Sequence, residues 1–204
     1  MSTRLRLARR DEILILSLES HDGFPRLERR ILTEIEAQIA RLAENREIAG
    51  VVITGSNRAF AVGAEISEIA NLAPASAFEF SRRGQSVMRA IANSPKPVIA
   101  AILGYCMGGG LDLALACHAR IASPVAVFAH PGGSLGIITG WGGTQRLPRL
   151  VGRSCALEML VTGRRLDAKE ALAWGLIQEI ATEPINEPVR LIRTRPAQVD
   201  STRE

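Results

Sequence analysis

Short apolar runs along the chain predict buried strands, and apolar positions three or four residues apart predict helices between them. The runs that predict strands cover residues 13–18, 51–54, 98–102, 119–122 and 125–128. The stretches that predict helices cover residues 27–42, 75–92, 111–117, 143–150, 154–161 and 167–174, and residues 176–180 close the ordered pattern. Strands that alternate with helices are typical of a single α/β domain.

The two ends of the chain lack this pattern. Residues 1–10 are rich in arginine, and we interpret them as a charged lead into the first strand. The apolar run that follows is too short for a signal-peptide core or a membrane span. Beyond Thr182, scattered prolines and charges predict an irregular tail. The sequence therefore predicts one domain over residues 1–181 and a short tail over 182–204.

Composition and charge restrict the classes of partner. Hydrophobic residues at 47% and charged residues at 23% are ordinary values for an ordered domain. The 25 basic and 21 acidic residues give a net charge of +4, which suits an anionic ligand. Basic clusters with interleaved aromatics, typical of nucleic-acid binding, do not occur in the sequence. The three cysteines form no CxxC pair and no even set, so we expect a reduced, cytoplasmic compartment.

Three glycine-rich segments are candidates for ligand binding: AFAVGAEI at 59–66, GYCMGGG at 104–110 and GWGGTQR at 140–146. The second precedes a predicted helix, whose first N–H groups are free donors at the positive end of the helix dipole. It lacks the Lys-Ser/Thr of a phosphate-binding loop and the GxGxxG spacing of a dinucleotide turn. These donors therefore suit a carbonyl or a small anion. Tight turns and close strand–helix packing are the alternative explanations of these glycines.

The order of four motifs is more specific than any one of them. AFAVGAEI, GYCMGGGLDLALAC, GIITGWGGTQRLPRLVG and LDAKEALAWGLI together resemble the crotonase (enoyl-CoA hydratase/isomerase) superfamily, over about residues 13–180. The resemblance implies an α/β spiral of ββα units in two roughly perpendicular sheets, here with a shortened C-terminal helical region. It also implies a homotrimer or dimer of trimers that binds an acyl-CoA thioester. Coenzyme A is then part of the substrate, and we expect no metal, covalent cofactor, nucleic acid or membrane partner.

The resemblance also implies roles for particular backbone groups. The N–H groups of Ala61 and Gly109 correspond to an oxyanion hole for the thioester oxygen. Two such donors stabilise the charge that this oxygen gains in an enolate-like transition state. Ala59 and Gly108 flank these two positions and are expected to contact the substrate.

Further substrate contacts are expected on either side of these donors. Apolar walls for the acyl group are expected at Ile66, Ile69, Met107 and Leu135. The coenzyme is expected beside residues 59–66, where Arg58 is either a phosphate ligand or a solvated turn residue.

Asp112 is the candidate acid/base, because it stands where hydratases of this family carry their first catalytic glutamate. An aspartate reaches about 1.5 Å less than a glutamate, and a displacement of that order costs about 10²-fold in a positioned reaction. A carboxylate that is only favoured by the helix dipole is the alternative.

The second catalytic glutamate of these hydratases is absent, because Gly132 stands at its position. His130 is one possible substitute, since imidazole titrates near neutrality. Ser134 or Thr139 is another, as a group that orients water. Space beside Gly132 for a bound anion is a third.

Two functions follow from the sequence. One is a lyase or isomerase acting on acyl-CoA, with Asp112 as the principal base. The other is an acyl-CoA-binding protein with little or no hydratase activity, suggested by Gly132 and the short tail.

Overall fold

A computed structural model describes residues 2–187 and 192, and its strands form two sheets. One sheet has six strands in the order β1-β2-β3-β5-β7-β10, namely β1 (Arg4–Arg10), β2 (Ile13–Glu19), β3 (Gly50–Thr54), β5 (Val98–Ile102), β7 (Ala119–Ala122) and β10 (Glu179–Ile180). The other has four strands in the order β4-β6-β8-β9, namely β4 (Ala59–Ala61), β6 (Tyr105–Met107), β8 (Val127–Ala129) and β9 (Leu166–Asp167).

Seven α-helices and one 3₁₀ turn connect and cover these strands between residues 4 and 180. The helices are α1 (Arg29–Arg41), α2 (Ile66–Ala70), α3 (Pro74–Ala92), α4 (Gly109–Ala116), α5 (Gly143–Val151), α6 (Arg153–Thr162) and α7 (Ala168–Ala173), and the 3₁₀ turn is Pro131–Leu135. Three times, a strand of the six-stranded sheet is followed by a strand of the four-stranded sheet and then by helical structure. This repeat is the ββα spiral that the motifs predicted.

The first strand corrects the prediction of a charged lead at residues 1–10. Residues 4–10 pair with β2 in antiparallel register, from Arg4 opposite Glu19 to Arg10 opposite Ile13. Asp11 takes a φ of 54° in the tight turn between the two strands. The arginines conceal this strand from a hydrophobicity pattern, because β1 is the edge of the sheet and most of its side chains are exposed.

The central strands are buried on both faces, which explains their continuous apolar runs. In β2, Leu16 and Leu18 pack into the main core with the helices, whereas Ile13 and Ile15 pack into a smaller core on the opposite face. Ile192 completes that smaller core and is 5% exposed. The predicted irregular tail begins at residue 182, and the backbone at 186, 187 and 192 is helical. Residues 188–191 and 193–204 of this tail lie outside the described residues.

Candidate active site

A cavity of about 390 Å³ lies where the first two glycine-rich segments, residues 59–66 and 104–110, meet the loop before α5. Its walls come from the segment after β4, from α2 and α3, from the start of α4, from residues 130–141 and from α6. The residues that line it include seven of the predicted site residues: Ile66, Gly108, Gly109, Asp112, His130, Gly132 and Leu135. Most of the other lining residues are apolar. The structure therefore brings most of the predicted site into one cavity.

Ala59 and Ala61 are not among the described residues that line the cavity. Both are fully buried in β4, and the lining begins one residue later at Val62. Met107 is also outside the lining, whereas Ile69 belongs to it. The N–H group of Ala61 as a thioester donor stays a prediction.

Glycines allow the end of β4 to lie directly against the start of α4. A β-carbon at Gly110 would overlap the carbonyl oxygen of Ala61, and one at Gly63 would lie 3.1 Å from the Gly109 nitrogen. Gly108 precedes the helix with a φ of 52°, a conformation that favours glycine. Close packing thus explains Gly110, while Gly109 contributes its backbone to the cavity wall.

Asp112 is a fully buried carboxylate one helical turn after Gly109. The Thr139 hydroxyl donates a hydrogen bond to its Oδ2 atom. Burial raises the pKa of Asp112 from 3.8 to about 6, and the hydrogen bond from Thr139 and the nearby Arg146 guanidinium act in the opposite direction. A carboxyl group with such a pKa exchanges protons readily near neutral pH.

His130 lies beside this carboxyl group, at the end of β8. Its Nε2 atom is 3.6 Å from Asp112 Oδ1, and neither atom has a hydrogen-bond partner among the described residues. Burial lowers the pKa of His130 to about 4, so the imidazole is neutral at physiological pH. Asp112 and His130 thus present one ionisable and one neutral polar group to the same cavity.

The remaining candidates for replacing the missing glutamate are a water-orienting hydroxyl at Thr139 or Ser134 and an anion beside Gly132. Thr139 lines the cavity and its hydroxyl binds Asp112, whereas exposed Ser134 donates its hydroxyl to the Pro131 carbonyl oxygen, at 2.7 Å. A β-carbon at Gly132 would lie 2.7 Å from the Ile137 carbonyl oxygen. The loop itself therefore fills the space toward which a side chain at 132 would project.

Two charged residues at the ends of the first glycine-rich segment have partners within the protein. Glu65 lies 3.3 Å from the Arg26 guanidinium, consistent with a structural role near the loop. Arg58 donates to the Asp22 carbonyl oxygen at 3.1 Å and lies over the Phe24 ring, 4.3 Å from its centroid. Arg58 thus belongs to the turn, and the suggested role of Arg58 as a phosphate ligand stays a prediction.

Trp141 lines the cavity and was not singled out by the sequence analysis. Its indole contacts two glycines, Gly84 of α3 and Gly109 of α4. The signal available in the sequence was a glycine at position 84 inside a predicted helix, where glycine is unfavourable without a packing reason.

Within residues 2–187 and 192, no group of three or more histidine, cysteine, aspartate or glutamate side chains is placed to hold a metal ion. The same residues contain no helix with the length and apolar character needed to cross a membrane. Cys106, Cys117 and Cys155 are all free thiols.

The described geometry agrees with comparisons to known proteins. The family model for enoyl-CoA hydratase/isomerase matches residues 12–193. The chain belongs to this family, which is the crotonase superfamily. Its fold is accordingly the crotonase-like α/β fold, and the crotonase family comprises enzymes that act on coenzyme A thioesters.

Several solved structures superpose closely on this chain. DspI of Pseudomonas aeruginosa is 31% identical with a TM-score of 0.89, over 94% of this chain and 76% of that one. An enoyl-CoA hydratase from Thermoplasma volcanium is 35% identical with a TM-score of 0.88, over 94% of this chain and 78% of that one. An enoyl-CoA hydratase from Bacillus anthracis is 30% identical with a TM-score of 0.87, over 95% and 76% of the two chains.

Proposed function

We propose that this crotonase is an acyl-CoA lyase or isomerase of the enoyl-CoA hydratase type, with Asp112 as its acid/base. The observation that carries the proposal is the position of Gly109 and Asp112 on one helix, facing one cavity. Gly109 begins the helix, and Asp112 is a buried carboxyl group with a pKa near 6. A hydrogen-bond donor and a proton carrier are the two groups that enolate chemistry requires.

The thioester oxygen would accept hydrogen bonds from the N–H groups of Gly109 and Ala61. Support comes from the helix start, because the first N–H groups of a helix have no carbonyl partner within it. The contacts of Gly63 and Gly110 add support, since they hold the end of β4 against this helix start. Donors fixed in advance stabilise the oxygen as it becomes negative, and losing one costs about 10²–10³ in rate in other enzymes with an oxyanion hole.

Asp112 would remove the proton from the carbon next to the thioester carbonyl. The electron pair of that C–H bond then forms the enolate, whose charge rests on the oxygen held by the two donors. The protonated Asp112 returns the proton to the same carbon or, in an allylic system, to the γ-carbon, which moves the double bond.

In hydration of a 2-enoyl thioester, Asp112 would instead take a proton from water as the water oxygen bonds to the β-carbon. The electron pair of the C=C bond would then form the same enolate, and Asp112 would deliver its proton to the α-carbon. The neutral His130 would form a hydrogen bond with the reacting water or acyl group. The distance of 3.6 Å between its Nε2 atom and Asp112 Oδ1 supports this role.

The assembly and the compartment complete the proposal. We infer a homotrimer or a dimer of trimers, supported by the exposed apolar side chains of Leu157 and Val161 on α6. We also infer a cytoplasmic protein, supported by the free cysteines. Light scattering coupled to size-exclusion chromatography tests the assembly, because a monodisperse monomer would contradict it.

Steady-state assays with 2-enoyl- and 3-enoyl-CoA thioesters test the reaction. Wild type should turn over at least one of them, and Asp112→Asn should lose about 10²–10⁴-fold of that rate. Asp167→Asn is the matched control, because Asp167 is an exposed helix cap and asparagine caps equally well. Equal rates for wild type and Asp112→Asn would contradict the proposal.

One observation favours a second function, the binding of acyl-CoA with little or no hydratase activity. Gly132 supplies no carboxyl group where hydratases of this family carry their second glutamate. Binding of acyl-CoA without turnover of any tested thioester would support this second function and overturn the first.

A further inference from the structure

Trp141 lies between two glycines that belong to different helices. A β-carbon at Gly84 in α3 would overlap the pyrrole edge of the indole, and one at Gly109 in α4 would overlap its benzene edge. Both positions must therefore lack a side chain for the flat ring to fit. The indole spans the gap between the two helices, with the Phe80 ring 5.3 Å away between centroids.

The indole forms a buried wall of the cavity, whereas other lining side chains are exposed to solvent. Trp141 is 3% exposed although it lines the cavity. Ile66 and Ile138 also line the cavity, and they are 62% and 67% exposed. An acyl group held at Gly109 would thus meet a fixed wall toward α3 and solvent toward the mouth.

We propose that Trp141 determines the size of the acyl group, by closing the space between α3 and α4 so that the site selects short or compact acyl thioesters. The inference rests on the proposed function, because it assumes a thioester held at Gly109. The cavity volume of about 390 Å³ supports the inference, because it lies near the lower end of the range of about 300–1,000 Å³ that ligand cavities have.

The physical consequence is a limit in the relation between acyl-chain length and affinity. Each methylene group that enters an apolar cavity adds about fourfold to affinity. Once the chain reaches the indole wall, further methylene groups project into solvent and add nothing. Replacing the indole by a smaller apolar side chain extends the cavity toward α3 and moves this limit to longer chains.

Isothermal titration calorimetry with a length series from acetyl-CoA to dodecanoyl-CoA tests the proposal on the full chain. Trp141→Leu keeps an apolar side chain in the core, and circular dichroism establishes that the variant is folded. Trp174→Leu is the matched control, because Trp174 is the only other tryptophan and does not line the cavity. We expect the Trp141→Leu limit to move by at least two carbons, with an affinity gain of about 16-fold for the longest chains that fit.

A second readout does not require the variant at position 141. In Trp174→Phe, Trp141 is the sole tryptophan. Its fluorescence should change on binding butyryl-CoA and should change less on binding coenzyme A alone, because only the acyl group reaches the indole.

The outcomes separate this inference from the proposed function. Acyl-CoA binding with the same length limit in wild type and Trp141→Leu would overturn the role of Trp141 and leave thioester binding intact. If Trp141→Leu does not fold, unchanged fluorescence of Trp174→Phe on binding butyryl-CoA would overturn that role equally. Failure of wild type to bind any thioester of the series would overturn the proposed function itself.

Discussion

Asp112 Oδ1 lies 3.6 Å from His130 Nε2, and burial reverses the usual order in which these two groups titrate. It raises the pKa of Asp112 to about 6 and lowers that of His130 to about 4. Both side chains are therefore uncharged at a pH near 5, and Asp112 alone carries a charge at neutral pH. A single titration near pH 6 should control the proton chemistry of the cavity.

The first prediction concerns the pH dependence of activity. If Asp112 acts as a base, it must be ionised, so kcat/KM should rise with pH up to about 6 and then level off. The imidazole of His130 has lost its proton well below this range and should add no inflection near its ordinary pKa. A profile of kcat/KM from pH 4.5 to 8 for the most active thioester measures this.

His130→Gln separates the two groups, because glutamine is polar and does not titrate. The variant should have a lower rate, since it loses a polar contact beside Asp112, but its rise in kcat/KM should stay near pH 6. A rise that disappears in His130→Gln would assign the titration to His130 and contradict this account.

The second prediction concerns Thr139, whose hydroxyl donates to Asp112 and so lowers the pKa of that carboxyl group. Thr139→Val removes the donor and keeps the shape of the side chain. The rise in kcat/KM should then move to higher pH by about 1–2 units, since a hydrogen bond to a charged group contributes about 1.5–3 kcal/mol. Thr139→Ser keeps the hydroxyl and should leave the profile unchanged. An identical profile for the valine and serine variants would show that this hydroxyl does not set the titration.

The third prediction concerns stability. The folded pKa of Asp112 is raised above 3.8, so between pH 4 and 6 the folded protein holds a proton that the unfolded chain has released. Wild type should therefore lose stability relative to Asp112→Asn as the pH rises through this range, by about 3 kcal/mol in total. Urea denaturation of both proteins at pH 4, 5 and 7 measures the difference. A difference in the free energy of unfolding that is constant with pH would contradict the raised pKa.

Gly132 leads to the fourth prediction, that a glutamate placed there does not restore a two-carboxylate site. A β-carbon at this position would lie 2.7 Å from the Ile137 carbonyl oxygen, so Gly132→Glu must displace the loop. We expect a loss of about 1–3 kcal/mol in stability and no gain in hydration rate. Ser134→Glu adds the same charge at an exposed position of the same loop and loses only the exposed hydrogen bond to the Pro131 carbonyl oxygen, so it should lower the melting temperature less. A stable Gly132→Glu variant with faster hydration would show that the loop accepts a second carboxyl group.

The apolar pattern predicted the buried strands and the longer helices, because their periodicity follows directly from burial. It missed β1, whose arginines are exposed while its backbone pairs fully with β2. It also missed β4 and β6, each of three residues inside a glycine-rich segment. Strands this short are held by neighbouring strands and leave no periodic signal.

The sequence predicted that Gly109 and Asp112 belong to one site, with His130 as a further candidate, and the structure places all three at one cavity. Two physical features of this site could not be obtained from the sequence. One is the complete burial of Asp112, which sets its pKa and depends on residues distant in sequence. The other is the contact of Trp141 with Gly84, which joins two segments that no motif connects.

The central claim is that Asp112 removes a proton next to a thioester carbonyl, and proton exchange tests it without knowledge of the full reaction. Wild type is incubated with butyryl-CoA in D₂O, and the loss of the proton signal at the carbon next to the carbonyl is followed by nuclear magnetic resonance. We predict exchange above the buffer rate in wild type and in Asp167→Asn, and a loss of about 10²-fold or more in Asp112→Asn. Exchange at the same rate in Asp112→Asn and wild type would contradict the account.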